Sequence, residues 1–166
     1  MTDHDTRPVP PARIDPSVLM EHIRAIPGVV SVAARNGSLW AEGPFLDVEA
    51  MAGAMDALGI RLGTVTAIPL SEDGETTVIY HYIDEYEVIN FKTATRNGVL
   101  ASLAASVRPA SWAEREIKDL FAVDFPGHPN LVPLLRPEGF EPGMLRAAMC
   151  APAAMTRSPV SPLARK

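Results

Sequence analysis

The sequence predicts a single α+β domain: a mixed or antiparallel sheet covered on one face by amphipathic helices, with flexible termini. Three observations carry this expectation. Segments with helical spacing alternate with segments rich in Val, Ile, Thr and Tyr, turn-forming residues separate them, and one sharply delimited helix follows the last strand.

Residues 1–16 are rich in proline and charge and read as a flexible leader, and the domain proper is expected over 17–146. It opens with an amphipathic helix over 17–25, closed by the turn at Pro27 and Gly28. Residues 29–34 and 38–41 form a hairpin, because Asn36-Gly37 is the dipeptide that a two-residue turn with positive φ demands. Asp47 then caps a helix over 48–58, which Gly59 ends. Three longer strands follow, over 60–70, 76–83 and 86–95, joined by the polar stretch 71–75 and by Asp84-Glu85. Residues 99–107 are a candidate helix. Residues 147–166 are dominated by small residues and proline; the expectation is a tail that is disordered or that wraps a partner.

The stretch from Ser111 to Pro129, SWAEREIKDLFAVDFPGHP, is the most informative part of the chain. Ser111 with Glu114 three residues on makes a capping box, so a helix is expected from Trp112. Ala113, Ile117, Leu120 and Phe121 fall on one apolar stripe; Glu114 with Lys118, and Arg115 with Asp119, have the i,i+4 spacing of ion pairs on an outer face. The helix should stop near Val123, where Pro126-Gly127 and His128-Pro129 make a stiff exit.

Composition narrows the function. The chain carries a formal charge of −5, and residues 41–90 hold ten acidic residues against one basic. Such a body repels phosphate, so no nucleic-acid partner is expected. No segment approaches the roughly 20 apolar residues of a spanning helix, and the first residues do not read as a signal peptide; a cytoplasmic chain with no direct membrane span is expected. Cys150 is the sole cysteine, and His4, His22, His81 and His128 show no metal-ligand spacing. No glycine-rich phosphate loop is present. The chain is therefore expected to hold no cofactor of its own.

The run from Trp112 resembles the signature of the 30 kDa subunit family of complex I, the C-type subunit of NADH:quinone oxidoreductase, a family that includes related subunits of energy-converting nickel–iron hydrogenases. The matching residues are Trp112, Glu114, Arg115, Glu116, Asp119, Leu120, Phe121, Gly127, His128 and Pro129. Ala122 stands where the family commonly has glycine, and Pro126 where an acidic residue is common. Leu134, Leu135, Pro137 and Glu138 are similar to a further family element, after which the family's His-Pro-Leu-Arg-Lys-Asp-Tyr type run is missing. The resemblance implies a non-catalytic assembly subunit in the peripheral arm of a membrane-bound oxidoreductase. Its partners would be the hydrogenase-large-subunit-like, 49 kDa-type subunit and the iron–sulfur small subunit. Trp112, Glu114, Arg115, Glu116, Asp119, Phe121, Gly127, His128 and Pro129 would then serve the subunit interface. The shortness of the chain and the missing run lean towards a hydrogenase parent rather than an NADH:quinone oxidoreductase.

Two other classes stay open at this point. Glu116, Asp119 and His128 could form the acid/base group of a small stand-alone enzyme, given a pocket that shifts their pKa values. A free assembly adaptor that visits the complex and leaves is the third reading.

Overall fold

A computed structural model of the chain describes residues 14–68, 75–137 and 139–145. The elements run α1 (Pro16–Arg24), β1 (Ser31–Arg35), β2 (Ser38–Glu42), α2 (Val48–Ala57), β3 (Arg61–Ile68), β4 (Thr77–Ile83), β5 (Val88–Ala94) and α3 (Ala110–Phe121). The leader up to residue 13, the tail from Arg146 with Cys150, the connection 69–74, Glu138 and His4 lie outside the described residues.

Local chemistry explains the elements. Asp15 and Asp47 cap α1 and α2, their carboxylates accepting from the Ser17 and Ala50 N–H groups at 2.8 and 2.9 Å. Asn36 and Gly37 take φ of 51° and 75°, the turn that the hairpin requires, and Arg35 pairs with Ser38 directly across it.

The five strands form one mixed sheet in the order β1-β2-β5-β4-β3. β2 and β5 are its parallel pair; the other neighbours are antiparallel. Register then decides which side chains are covered. Leu39, Phe91, Tyr80 and Val65 face the helices, with Tyr82 meeting Phe91 edge-on at 5.7 Å. Leu19 and Ile23 of α1, Met51 and Met55 of α2, and Ile117 and Phe121 of α3 join them in one core. All three helices thus lie on a single face, in agreement with the sequence-based expectation.

One expected helix is absent. Residues 98–102 instead run beside 124–126, with Leu100 and Ser102 N–H donating to the Asp124 and Pro126 carbonyls at 3.0 and 3.1 Å. The cause is a second Asn-Gly turn: Asn97 and Gly98 take φ of 55° and 73°, and Arg96 and Val99 bond across them. Glu75 holds this turn, accepting from the Asn97 and Gly98 N–H groups. Every backbone donor so engaged is unavailable to a helix.

Two loops approach unusually closely at the start of the sheet. A Cβ on Gly43 would stand 1.8 Å from the Gly28 carbonyl oxygen, and one on Gly28 2.2 Å from that of Phe45. The approach lets Asp47 N–H donate to the Pro27 carbonyl at 3.0 Å, which ties the start of α2 to the α1–β1 turn. Gly43→Ala is expected to destabilise the fold by about 3 kcal/mol, since backbone must move to admit the methyl group. A fall in the urea midpoint with unchanged slope checks this; an unchanged midpoint refutes the close approach.

Candidate functional site

α3 and the segment that follows it make up the candidate site. The helix begins at Ala110, two residues before the expected start, and Pro109 precedes it without a side-chain cap. Ala110 and Ser111 N–H groups donate to the Val107 and Arg108 carbonyls at 2.9 and 3.1 Å, so the preceding turn satisfies the first donors of the helix. Ser111 and Glu114 form no capping box. Ser111 faces His128 instead, and Glu114 turns inward.

Glu114 is wholly buried. Its carboxylate accepts from Leu103 N–H at 2.7 Å and from the Ser102 hydroxyl at 2.5 Å. Burial raises its pKa; the bonds from Ser102 and Leu103, and the nearby His128, only moderate the rise. The Tyr80 phenol lies in the same interior and is pushed up in turn by burial and by the charge of Glu114.

The two expected ion pairs along α3 do not form, because each charged group has a better partner in the flanking chain. Lys118 reaches Asp124 at 2.8 Å. Arg115 donates through Nε to the Val132 carbonyl at 2.9 Å and through Nη2 to that of Pro133 at 3.0 Å. Asp119, buried, accepts the N–H groups of Leu134, Leu135 and Arg136 on one oxygen at 2.7, 2.7 and 3.2 Å, and Arg136 Nε on the other at 3.3 Å. Burial pulls the Asp119 pKa up, but these bonds outweigh it and hold the carboxyl below its ordinary value. Arg115 and Asp119, one turn apart, therefore grip a single strap of backbone: the cation takes carbonyls and the anion takes successive amides.

The strap then returns to the end of the helix. Gly143 N–H donates to the Asp119 carbonyl at 2.8 Å and Leu145 N–H to that of Leu120 at 2.9 Å, satisfying groups that the last turn leaves unpaired. α3 stops at Phe121 because Ala122 adopts a left-handed conformation, φ 56°.

His128 fixes the exit turn. Asn130 N–H donates to its Nδ1 at 3.0 Å, which leaves the proton on Nε2, directed at the Ser111 carbonyl 3.1 Å away. Gly127 holds φ of 90° just before it.

Glu116, Asp119 and His128 do not converge. Glu116 is exposed, Asp119 is buried under the strap, and His128 is bonded to the first turn of the helix. Among the described residues no group of His, Cys, Asp or Glu is placed to hold a metal ion, and no helix is long and apolar enough to cross a membrane. What the site does expose is apolar: Trp112 on α3 is 68% accessible, and Val132, Leu135, Phe140 and Met144 of the strap are exposed beside their engaged backbone. The burial of Glu114 had a signal in the sequence, since it stands three residues before Ile117 and seven before Phe121, on the apolar stripe. The role of Asp119 had none within the helix itself.

Comparison with known proteins places this site in context. A model of the family described as respiratory-chain NADH dehydrogenase, 30 Kd subunit, matches residues 47–151. An NADH-quinone oxidoreductase C-type subunit of Ruegeria sp. (strain TM1040) is 34% identical over 93 residues, covering 52% of this chain and 46% of that protein. A C/D-type subunit of the same oxidoreductase from Pseudomonas fluorescens (strain SBW25) is 36% identical over 81 residues, 46% of this chain and 14% of that protein. The chain spans less than half the length of the curated relatives it matches. Among solved structures, an archaeal membrane-bound sulfane sulfur reductase complex contains a chain with the same fold, at TM-score 0.59 and 18% identity, covering 68% of this chain and 70% of that one. The trypsin-resistant fragment (1-134) of Nqo5 has TM-score 0.56 and 23% identity over 69% of this chain and 98% of that one.

Two outcomes are expected of the site residues. Ala122→Gly should stabilise the chain by about 0.5–1 kcal/mol, because glycine adopts this conformation without strain; a lower melting temperature refutes that account. The two buried carboxylates give stability opposite dependences on pH. With its folded pKa depressed, Asp119 contributes stability that is present above about 3.8 and is lost as pH falls through the lower folded value. With its folded pKa raised, Glu114 removes stability as pH rises from about 4.5 through the folded value. Asp119→Asn should cost about 3 kcal/mol near neutrality and make the acid limb of a stability–pH curve shallower. Glu114→Gln should flatten the fall above about pH 4.5; wild-type slopes in either variant overturn the assignment.

Proposed function

The chain belongs to the respiratory-chain NADH dehydrogenase 30 Kd subunit family, and from that membership we propose that it is a non-catalytic subunit in the peripheral arm of a membrane-bound, complex I-like oxidoreductase. Its work is assembly. It docks beside the hydrogenase-large-subunit-like, 49 kDa-type subunit and near the iron–sulfur small subunit, on the cytoplasmic side of the membrane. Residues 17–146 form the docking domain.

One observation carries the reading: Glu114, Arg115 and Asp119 turn their charge onto the flanking chain, while Trp112 of α3 and Val132, Leu135 and Phe140 of the strap stay exposed. Buried charge held this way shapes a surface, whereas an acid/base catalyst needs such groups to face a substrate. Trp112 and Glu116, with Leu135 and Phe140 of the strap, make the direct contact. Phe121, Gly127, His128 and Pro129 set the path of the chain beneath it. A large aromatic residue at the centre of an apolar patch is the usual anchor of a protein interface.

The relatives named as subunits of NADH-quinone oxidoreductase support a parent of that kind. An energy-converting nickel–iron hydrogenase is the second reading, favoured by the missing Lys-Asp-Tyr type run. Purification of a tagged copy from gently solubilised native membranes, with identification of the co-purifying chains and assays of NADH oxidation and hydrogen evolution, separates the two. Recovery of the chain alone overturns the subunit reading.

Trp112→Ala tests the anchor. Because the side chain is largely exposed, the melting temperature of the isolated chain should hardly move, while recovery of partner subunits should drop by about tenfold or more. Recovery equal to wild type removes Trp112 from the interface.

A further inference from the structure

The two Asn-Gly turns of the fold share a dipeptide and a backbone shape but not a chemical environment. Asn36 and Gly37 take φ of 51° and 75°, Asn97 and Gly98 of 55° and 73°. Asparagine followed by glycine is open to intramolecular attack, because glycine has no side chain to shield the amide nitrogen that stands next to the asparagine side-chain carbonyl. That nitrogen reacts as the anion left when its proton departs. A group that grips the N–H, or that sets negative charge beside it, therefore suppresses the reaction.

The second turn is restrained in both ways. The Asn97 and Gly98 N–H groups donate to the Glu75 carboxylate at 2.8 and 3.3 Å, which puts a negative charge where the Gly98 anion would form. The Gly98 carbonyl accepts from Asp124 N–H at 2.8 Å, and Arg96 and Val99 bond across the turn in both directions, at 3.0 and 3.1 Å. The first turn lacks these restraints. Asn36 and Gly37 are exposed, a Cβ on Gly37 would meet nothing within 4 Å, and among the described residues none accepts the Gly37 N–H.

We propose that Asn36 is a site of spontaneous deamidation and that Asn97 is protected from it. The Gly37 nitrogen gives up its proton and attacks the Asn36 side-chain carbonyl carbon. The side-chain nitrogen leaves as ammonia, and the succinimide that has closed takes up one water to become aspartate or isoaspartate. No oxidant or cofactor enters the step. Isoaspartate carries the main chain through the former side chain and so lengthens it by one methylene, which disrupts a two-residue turn that pairs Arg35 directly with Ser38. β1 is an edge strand bonded to β2 alone within the sheet, so the change loosens that strand and leaves the order β2-β5-β4-β3 in place. The inference is independent of the subunit reading.

The test incubates the full-length chain in mildly alkaline buffer, folded or unfolded in urea, and follows it by tryptic digestion and mass spectrometry. Cleavage after Arg35, Arg61, Arg96 and Arg115 yields peptides 36–61 and 97–115, each with a single side-chain amide, so exchange of NH2 for OH in either reports one residue. In the folded chain Asn36 is expected to convert about tenfold faster than Asn97, the ratio that a shift of about one unit in the pKa of the attacking amide produces. In urea the two should convert alike. Glu75→Gln keeps an acceptor but removes the charge, and should raise the Asn97 rate about tenfold while leaving Asn36 as it was. Amide exchange along β1 should quicken about tenfold in the converted chain, with β4 unchanged.

Equal rates in the folded chain, faster conversion of Asn97, or conversion of neither while both react in urea overturns the proposal. An Asn97 rate that Glu75→Gln does not move overturns the protection assigned to Glu75, and any other exchange pattern overturns the consequence for the edge strand.

Discussion

Burying a carboxylate is tolerable only when the protein replaces water as its solvent, and α3 makes that demand twice. Glu114 is solvated by the Ser102 hydroxyl and the Leu103 amide, Asp119 by three consecutive amides and a guanidinium. Each carboxylate thereby fixes a stretch of irregular chain, one before the helix and one after it. The chain on either side of α3 takes its course from these two internal solvation shells.

A comparable constraint operates at the start of the sheet, with backbone in place of charge. Gly28 and Gly43 let two turns come within contact, and that contact sets where α2 begins and hence how it crosses from β2 to the far edge of the sheet. The parallel pairing of β2 with β5 requires such a crossover, because parallel neighbours cannot be joined by a tight turn. One face of the sheet is thus committed to α1, α2 and α3. Among the described residues no helix packs on the second face, with its Trp40-Asn90-His81 row.

Much of this is legible in the sequence, and what is not has physical causes. Asn36-Gly37 announces its hairpin; Asn97-Gly98, the same dipeptide, marks a second turn, but the helix-like run that follows it obscures the signal. Residues 98–102 are extended because their amides answer the carbonyls of 124 and 126, a pairing between segments more than twenty residues apart that no local pattern encodes. Residue type alone makes Glu114 a solvated charge, although its spacing from Ile117 and Phe121 puts it on the buried stripe. Arg115 and Asp119 have the spacing of an ion pair, and the fold turns them instead onto a strap whose course only the tertiary structure reveals.

That strap is held by its peptide groups. Arg115 engages two carbonyls and Asp119 three amides, and Pro133 contributes only the acceptor that its place requires. The side chains at 132, 134 and 135 take no part in these bonds. The bonds that hold the strap therefore do not depend on which side chains stand at these positions, provided the backbone keeps its path. A scaffold that anchors main chain and leaves the outward residues unconstrained can be refitted to a changed partner by surface substitutions alone. This separation of position from identity suits a fold shared with a chain of an archaeal respiratory membrane complex and with Nqo5.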